Sequence, residues 1–102
     1  MIYNKLVRDR IPEIIRQKGG ECTTRVLSDE EYMHALDTKL GEELAEYLDS
    51  HSPEELADLL EVIYACAALQ GLCPADLEQI RAEKAEKRGG FAEKILLIES
   101  KG

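Results

Sequence analysis

The chain has 102 residues, of which 44% are hydrophobic and 33% are charged, and its formal net charge at pH 7 is -8. This length is typical of one domain, and the composition is that of a folded helical protein and not of a disordered one. The negative charge argues against a nucleic-acid-binding protein, and no apolar run approaches the roughly 20 residues that a membrane span requires.

The first predicted elements are a short helix and a strand. Pro12 suits the first turn of a helix from about Ile11 to Lys18, which Gly19 and Gly20 end. The next stretch, ECTTRVL (Glu21–Leu27), is enriched in β-branched residues and predicts a strand.

Two longer helices with a short turn between them are predicted next. Ser28 and Glu31 have the spacing of a capping box, which opens a helix extending to about Asp49. After the turn DSHSP, Ser52 can cap a second helix that runs to about Gln70.

A third long helix is predicted from Pro74 to Gly89 and Gly90, and the apolar segment KILLIES (Lys94–Ser100) predicts a second strand. The two strands could pair in a small sheet. The expected fold is therefore mainly α, a single domain over residues 1–102 built on an antiparallel helical hairpin or bundle, with a small two-stranded β ribbon.

Charge is segregated along the chain. Residues 28–61 carry twelve acids and a single base, Lys39, whereas residues 1–20 carry five bases and residues 81–102 carry six. An acidic middle between basic ends could form a metal site flanked by anion-binding groups. The alternative is that these charges simply cover solvated helix faces.

One acid in the first long helix falls where an apolar residue is expected. Glu43 lies three residues after Leu40 and four before Tyr47, on the stripe that should be buried. Glu46 follows at a spacing of three residues, so both carboxylates project from one side of the helix.

The second long helix repeats this arrangement with Glu55 and Asp58. If the turn is centred on residues 50 and 51, antiparallel packing places Glu46 opposite Glu55 and Glu43 opposite Asp58. Four ionised carboxylates in a poorly solvated bundle would destabilise it unless a cation joined them. Oxygen ligands without nearby Cys or His favour Mg2+, with Mn2+ as a second choice, over zinc.

The three cysteines are Cys22, Cys66 and Cys73. An odd number without CxxC spacing argues against both a zinc site and a disulfide framework. A reducing cytoplasm is the expected compartment.

Three segments together resemble a known family. EELAE (Glu42–Glu46) followed by ELAD (Glu55–Asp58) resembles the EExxE…ExxD signature of the MazG-like, all-α nucleoside triphosphate pyrophosphohydrolases. YNKLVRDRIPEII (Tyr3–Ile15) and KAEKRGGF (Lys84–Phe91) resemble segments of a small subgroup related to phosphoribosyl-ATP pyrophosphohydrolase. Members of the family bind Mg2+ through these carboxylates and split a nucleoside triphosphate into the monophosphate and pyrophosphate.

The resemblance implies a role for each acid. Glu43, Glu46, Glu55 and Asp58 match the metal-ligand positions, and Glu43 is also placed at the catalytic centre. Glu42 matches the first acid of the motif, where it could accept a proton from the attacking water or hold that water in place.

A triphosphate substrate also needs fixed positive charge. Lys84 and Arg88 share a helix face at a spacing of four residues, and we expect them to face the carboxylates from the same subunit or a neighbour. Lys5 and Arg8 are the other candidate substrate-binding residues. Lys84 and Arg88 could instead complement the C-terminal end of their helix. Lys5 and Arg8 could instead belong to a solvated basic arm.

The leading functional hypothesis is therefore a Mg2+-dependent nucleotide pyrophosphohydrolase, with a non-canonical nucleotide as one candidate substrate. The alternatives are phosphoribosyl-ATP pyrophosphatase of histidine synthesis and a catalytically silent helical assembly module. One expected partner is a nucleotide. The other is a second copy of the chain, in a homodimer or tetramer, because Tyr64–Leu69 is apolar on almost all sides of its helix. Neither nucleic acid nor a membrane is an expected partner.

Overall fold

A computed structural model describes residues 2–102, which form four helices. The second and third helices pack against each other as a hairpin, and the fourth packs against the third. The helices are α1 (Ile11–Gln17), α2 (Asp29–Ser50), α3 (Pro53–Leu69) and α4 (Pro74–Arg88). The mainly α architecture and its helical hairpin are therefore confirmed.

The start of α2 is fixed by the capping box. The hydroxyl of Ser28 accepts a hydrogen bond from the backbone N–H of Glu31 at 3.2 Å, and Glu31 Oε1 accepts one from the backbone N–H of Ser28 at 3.1 Å. Arg25 adds two hydrogen bonds of 3.0 Å to the same carboxylate. These contacts satisfy backbone donors that the first helical turn leaves free.

Only two residues connect α2 to α3. His51 adopts a left-handed conformation with a φ of 54°, which ends α2, and the hydroxyl of Ser52 accepts a hydrogen bond from the backbone N–H of Glu55 at 3.3 Å. A connection this short reverses the chain at once. It therefore fixes which residues of α2 and α3 face each other.

The predicted β ribbon is wrong. Residues 2–102 contain no strand, and both Glu21–Leu27 and Lys94–Ser100 lack regular secondary structure. A strand needs hydrogen bonds to a neighbouring strand and a face that is buried. Neither segment has these, since Val26 is 95% exposed and Ile98 is 88% exposed.

The hydrophobic core of one chain is small. Leu36 and Ala67 are the only hydrophobic residues of the described chain that are buried, with 2% and 6% of their surface exposed. Four leucines of the hairpin remain about half exposed. They are Leu44, Leu48, Leu56 and Leu60. The radius of gyration is 18.0 Å, compared with about 13 Å for a compact chain of about this length.

Among residues 2–102, no single helix is both long and apolar enough to cross a membrane. Together, α3 and α4 have the length and composition of a span, but they are bent by 104° relative to each other.

The Glu31 cap predicts a pH-dependent contribution to stability. Hydrogen bonds from Arg25 and from the Ser28 backbone lower the pKa of Glu31 from 4.5 to about 2. Because this pKa is lower in the folded chain, the contribution is complete above about pH 4.5 and disappears as the pH falls towards 2. We expect Glu31→Gln to lower the melting temperature at pH 7 and to melt like the wild type near pH 2. Glu30→Gln, in the same helical turn, is the matched control, and circular dichroism melts across this pH range measure both.

Candidate metal centre

Glu43 is an acid in the interior of the hairpin. It lies two turns after Leu36 on the inward side of α2, and only 7% of its surface is exposed. Its Oε2 atom is buried and has no hydrogen-bond partner. A carboxylate oxygen that is both dehydrated and unpaired is costly, so this position indicates a purpose other than packing.

Two acids of α3 meet Glu43. Carboxylate oxygens of Glu43, Glu55 and Asp58 all lie within 4.8 Å of one another. The Oε2 atom of Glu55 is also buried without a partner. Glu55 and Asp58 are one helical turn apart, and the short turn before α3 brings that turn alongside Glu43.

Glu46, the fourth predicted ligand, is next to this group but not part of it. Its negative charge is close enough to Glu55 to raise the pKa of that carboxyl group. The structure therefore brings three of the four predicted ligands together and places the fourth beside Glu55.

The electrostatics of Glu55 reflect this crowding. Partial removal from water raises the pKa of Glu55, and the negative charges of Glu46 and Asp58 raise it further. An acid in such surroundings is stabilised in its ionised form when a cation joins it.

Two basic side chains already contact the carboxylates. Arg8 reaches over from the segment before α1, and its Nη2 lies 2.7 Å from Asp58 Oδ1. Lys39, within α2, has its Nζ 3.4 Å from Glu43 Oε1 and 3.6 Å from Glu42 Oε2. The sequence alone does not assign Lys39 to the site, but its spacing of three and four residues from Glu42 and Glu43 is the signal for these contacts.

A groove of about 420 Å3 opens beside the carboxylates. Glu43 and Asp58 line it together with Arg8, Arg10 and Lys39. Asp9 and Glu61 also line the groove, and the rest of its wall is largely apolar. Contributing residues are Leu6, Val7, Ile11, Tyr32, Val62 and Ala65.

A smaller cavity of about 160 Å3 adjoins this groove. Lys39 lines both spaces, and Glu42 and Lys5 line the smaller one. Lys5 therefore lies near the carboxylates but, unlike Arg8, makes no ion pair with them in the described part of the chain.

The basic end of α4 lies elsewhere in this chain. Lys84 and Arg88 are exposed, and neither lines the groove. The expectation that they supply phosphate-binding charge therefore remains a prediction for an adjacent copy of the chain.

The cluster fits a hard divalent cation. Its donors are carboxylate oxygens, two of which are buried without a partner. Such oxygens suit Mg2+ or Mn2+, and residues 2–102 place no Cys or His in the cluster.

Comparison with known proteins gives one relevant similarity. The chain is 62% identical over 42 residues to an "uncharacterized protein" of Mycolicibacterium smegmatis (strain ATCC 700084 / mc(2)155). The match covers 41% of this chain and 43% of that relative, so it spans less than half of either protein. No family model matches the chain. No solved structure matches it either.

Proposed function

We propose that this protein is a Mg2+-dependent nucleotide pyrophosphohydrolase that cleaves a nucleoside triphosphate to the monophosphate and pyrophosphate. The observation that carries the proposal is the buried Oε2 atom of Glu43, which has no hydrogen-bond partner, next to Glu55 and Asp58 at a groove that Arg8 also lines. The resemblance of Glu42–Glu46 and Glu55–Asp58 to the MazG-like motif supports the same reaction.

The acids have distinct roles in this proposal. Glu43, Glu55 and Asp58 would hold the cation, with Glu46 beside Glu55. A bound Mg2+ would neutralise phosphate charge and make a water molecule more acidic. Glu42 would position a water molecule or accept a proton from it, in a reaction that adds water at the α-phosphorus and releases pyrophosphate.

The groove has two chemically different parts that suit a nucleotide. Its volume of about 420 Å3 lies within the roughly 300–1,000 Å3 of small-molecule sites. Arg8, Arg10 and Lys39 supply positive charge for phosphates, whereas the apolar wall with Tyr32 offers a surface for the base.

A screen of nucleoside triphosphates for pyrophosphate release tests this proposal. Standard and non-standard nucleotides are assayed with Mg2+, with EDTA, and with the Glu43→Gln variant. Mg2+-dependent release that the variant lacks supports the proposal. Phosphoribosyl-ATP is included, since cleavage of this compound alone would indicate the enzyme of histidine synthesis. No release from any compound would favour the silent assembly module.

We also propose a cytoplasmic location and a homo-oligomer. The three cysteines are free thiols, as expected in a reducing compartment. The small core and the half-exposed leucines of the hairpin leave apolar surface that a second copy would cover.

We expect Leu48→Glu to weaken self-association. Leu48 is 58% exposed, and a charge at a buried interface would be dehydrated without a partner. Light scattering at micromolar concentration should give a dimer or tetramer for the wild type and a smaller species for the variant. Asp49→Lys, at the adjacent exposed position, is the control. A monomeric wild type would contradict the proposed assembly.

A further inference from the structure

Lys39 holds an unusual position for a lysine of a surface helix. Its side chain is only 23% exposed, and its ammonium lies between Glu42 Oε2 at 3.6 Å and Glu43 Oε1 at 3.4 Å. The side chain of Glu43 is itself only 10% exposed. Exposed pairs at this helical spacing are common and contribute little, but this one is largely withdrawn from solvent.

The two oxygens of Glu43 thus have different surroundings. Oε1 faces the ammonium of Lys39, whereas Oε2 is buried and without a hydrogen-bond partner. Oxygens of Glu43, Glu55 and Asp58 are clustered within 4.8 Å. One divalent cation can therefore be held with Glu55 and Asp58 while Lys39 keeps its place beside Glu42.

We propose that the carboxylate cluster takes a single divalent cation per chain because the ammonium of Lys39 occupies the place of a second one. On the side of Glu43 that faces Lys39, a second cation would need the oxygens of Glu42 and Glu43 that now face the ammonium. It would also add two positive charges next to the ammonium of a side chain that is only 23% exposed. The inference rests on the proposed function, because it assumes that the cluster binds a cation at all.

This arrangement gives Lys39 a positioning role. It holds the Glu43 carboxylate while also lining both the groove and the smaller cavity. Lys39→Met removes the charge but keeps a flexible side chain of similar length, and Lys39→Arg keeps the charge.

Counting bound Mn2+ tests the proposal. The cation-free full-length protein is titrated with Mn2+, and the free ion is measured by electron paramagnetic resonance. We expect one Mn2+ per chain for the wild type and for Lys39→Arg, and two per chain for Lys39→Met. Circular dichroism establishes that each variant is folded. If Lys39→Met does not fold, Lys39→Gln replaces it in the titration. The number of Mn2+ bound per wild-type chain is measured independently of both variants.

Two tightly bound Mn2+ per wild-type chain, or one in the folded uncharged variants, would overturn the proposal. If the wild-type chain binds two Mn2+ and also releases pyrophosphate, only the role of Lys39 is overturned, and the proposed function is unaffected. No Mn2+ binding by the wild type would overturn both.

Discussion

Glu43→Gln is expected to abolish Mn2+ binding and to reduce kcat/KM for pyrophosphate release by on the order of 10³-fold, about 4 kcal/mol in the barrier. Glu43 is the most buried acid of the cluster and contributes an oxygen that has no other partner. An amide oxygen is a much weaker ligand because it carries no negative charge. Without the cation, the charge of the triphosphate would face the remaining acids.

The stability of the same variant should change much less than its activity. In the absence of a cation, we expect Glu43→Gln to melt close to the wild type, because the loss of the ion pair with Lys39 offsets the removal of a buried charge. With Mn2+ at about 100 times its Kd, the wild type should gain about 2.7 kcal/mol while the variant gains nothing. Differential scanning calorimetry with and without Mn2+ measures both effects.

Glu54→Gln is the matched control for this experiment. Glu54 is an exposed acid in the first turn of α3, directly before Glu55, and lies outside the cluster. It should keep Mn2+ binding, activity and the Mn2+-dependent rise in melting temperature. Normal Mn2+ binding by Glu43→Gln would show that the cluster is not the cation site.

The helices of this protein are predictable because their ends are encoded locally. Ser28 with Glu31, and Ser52 with Pro53, carry their capping information within four residues. The same local signals set the length of the turn between α2 and α3. That length brings Glu43 alongside Glu55 and Asp58, and a register argument from the sequence was enough to anticipate it.

What the sequence does not determine is how distant parts of the chain interact. The β-branched residues of Glu21–Leu27 give a propensity for strand, but pairing depends on a partner that propensity does not specify. Likewise, nothing local determines where the end of α4 points, so Lys84 and Arg88 could not be placed. The approach of Arg8 to Asp58 joins residues 50 positions apart, and the sequence offered Arg8 only as one of several bases.

The position of Arg8 makes it the basic side chain that we expect to contribute most to binding the substrate phosphates. We expect Arg8→Ala to lower kcat/KM by roughly 10²-fold, or about 3 kcal/mol, if its guanidinium contacts phosphate in the transition state. Arg8 lines the groove and is the arginine that contacts the carboxylates within residues 2–102. Its pair with Asp58 is partly exposed, with 58% and 42% of the two side chains accessible. Losing this pair should therefore cost less than about 1 kcal/mol of stability.

Two control variants, Arg16→Ala and Arg88→Ala, distinguish phosphate contact by Arg8 from a general loss of positive charge. Arg16 is an exposed arginine in the last turn of α1, outside the groove, and its removal should leave kcat/KM unchanged. Arg88→Ala should also be nearly silent if one chain supplies all of the phosphate contacts. The opposite pattern, full activity for Arg8→Ala and a 10²-fold loss for Arg88→Ala, would rule out Arg8 as the phosphate contact. The charge would then come from α4 of an adjacent copy, since Arg88 does not line the groove of its own chain.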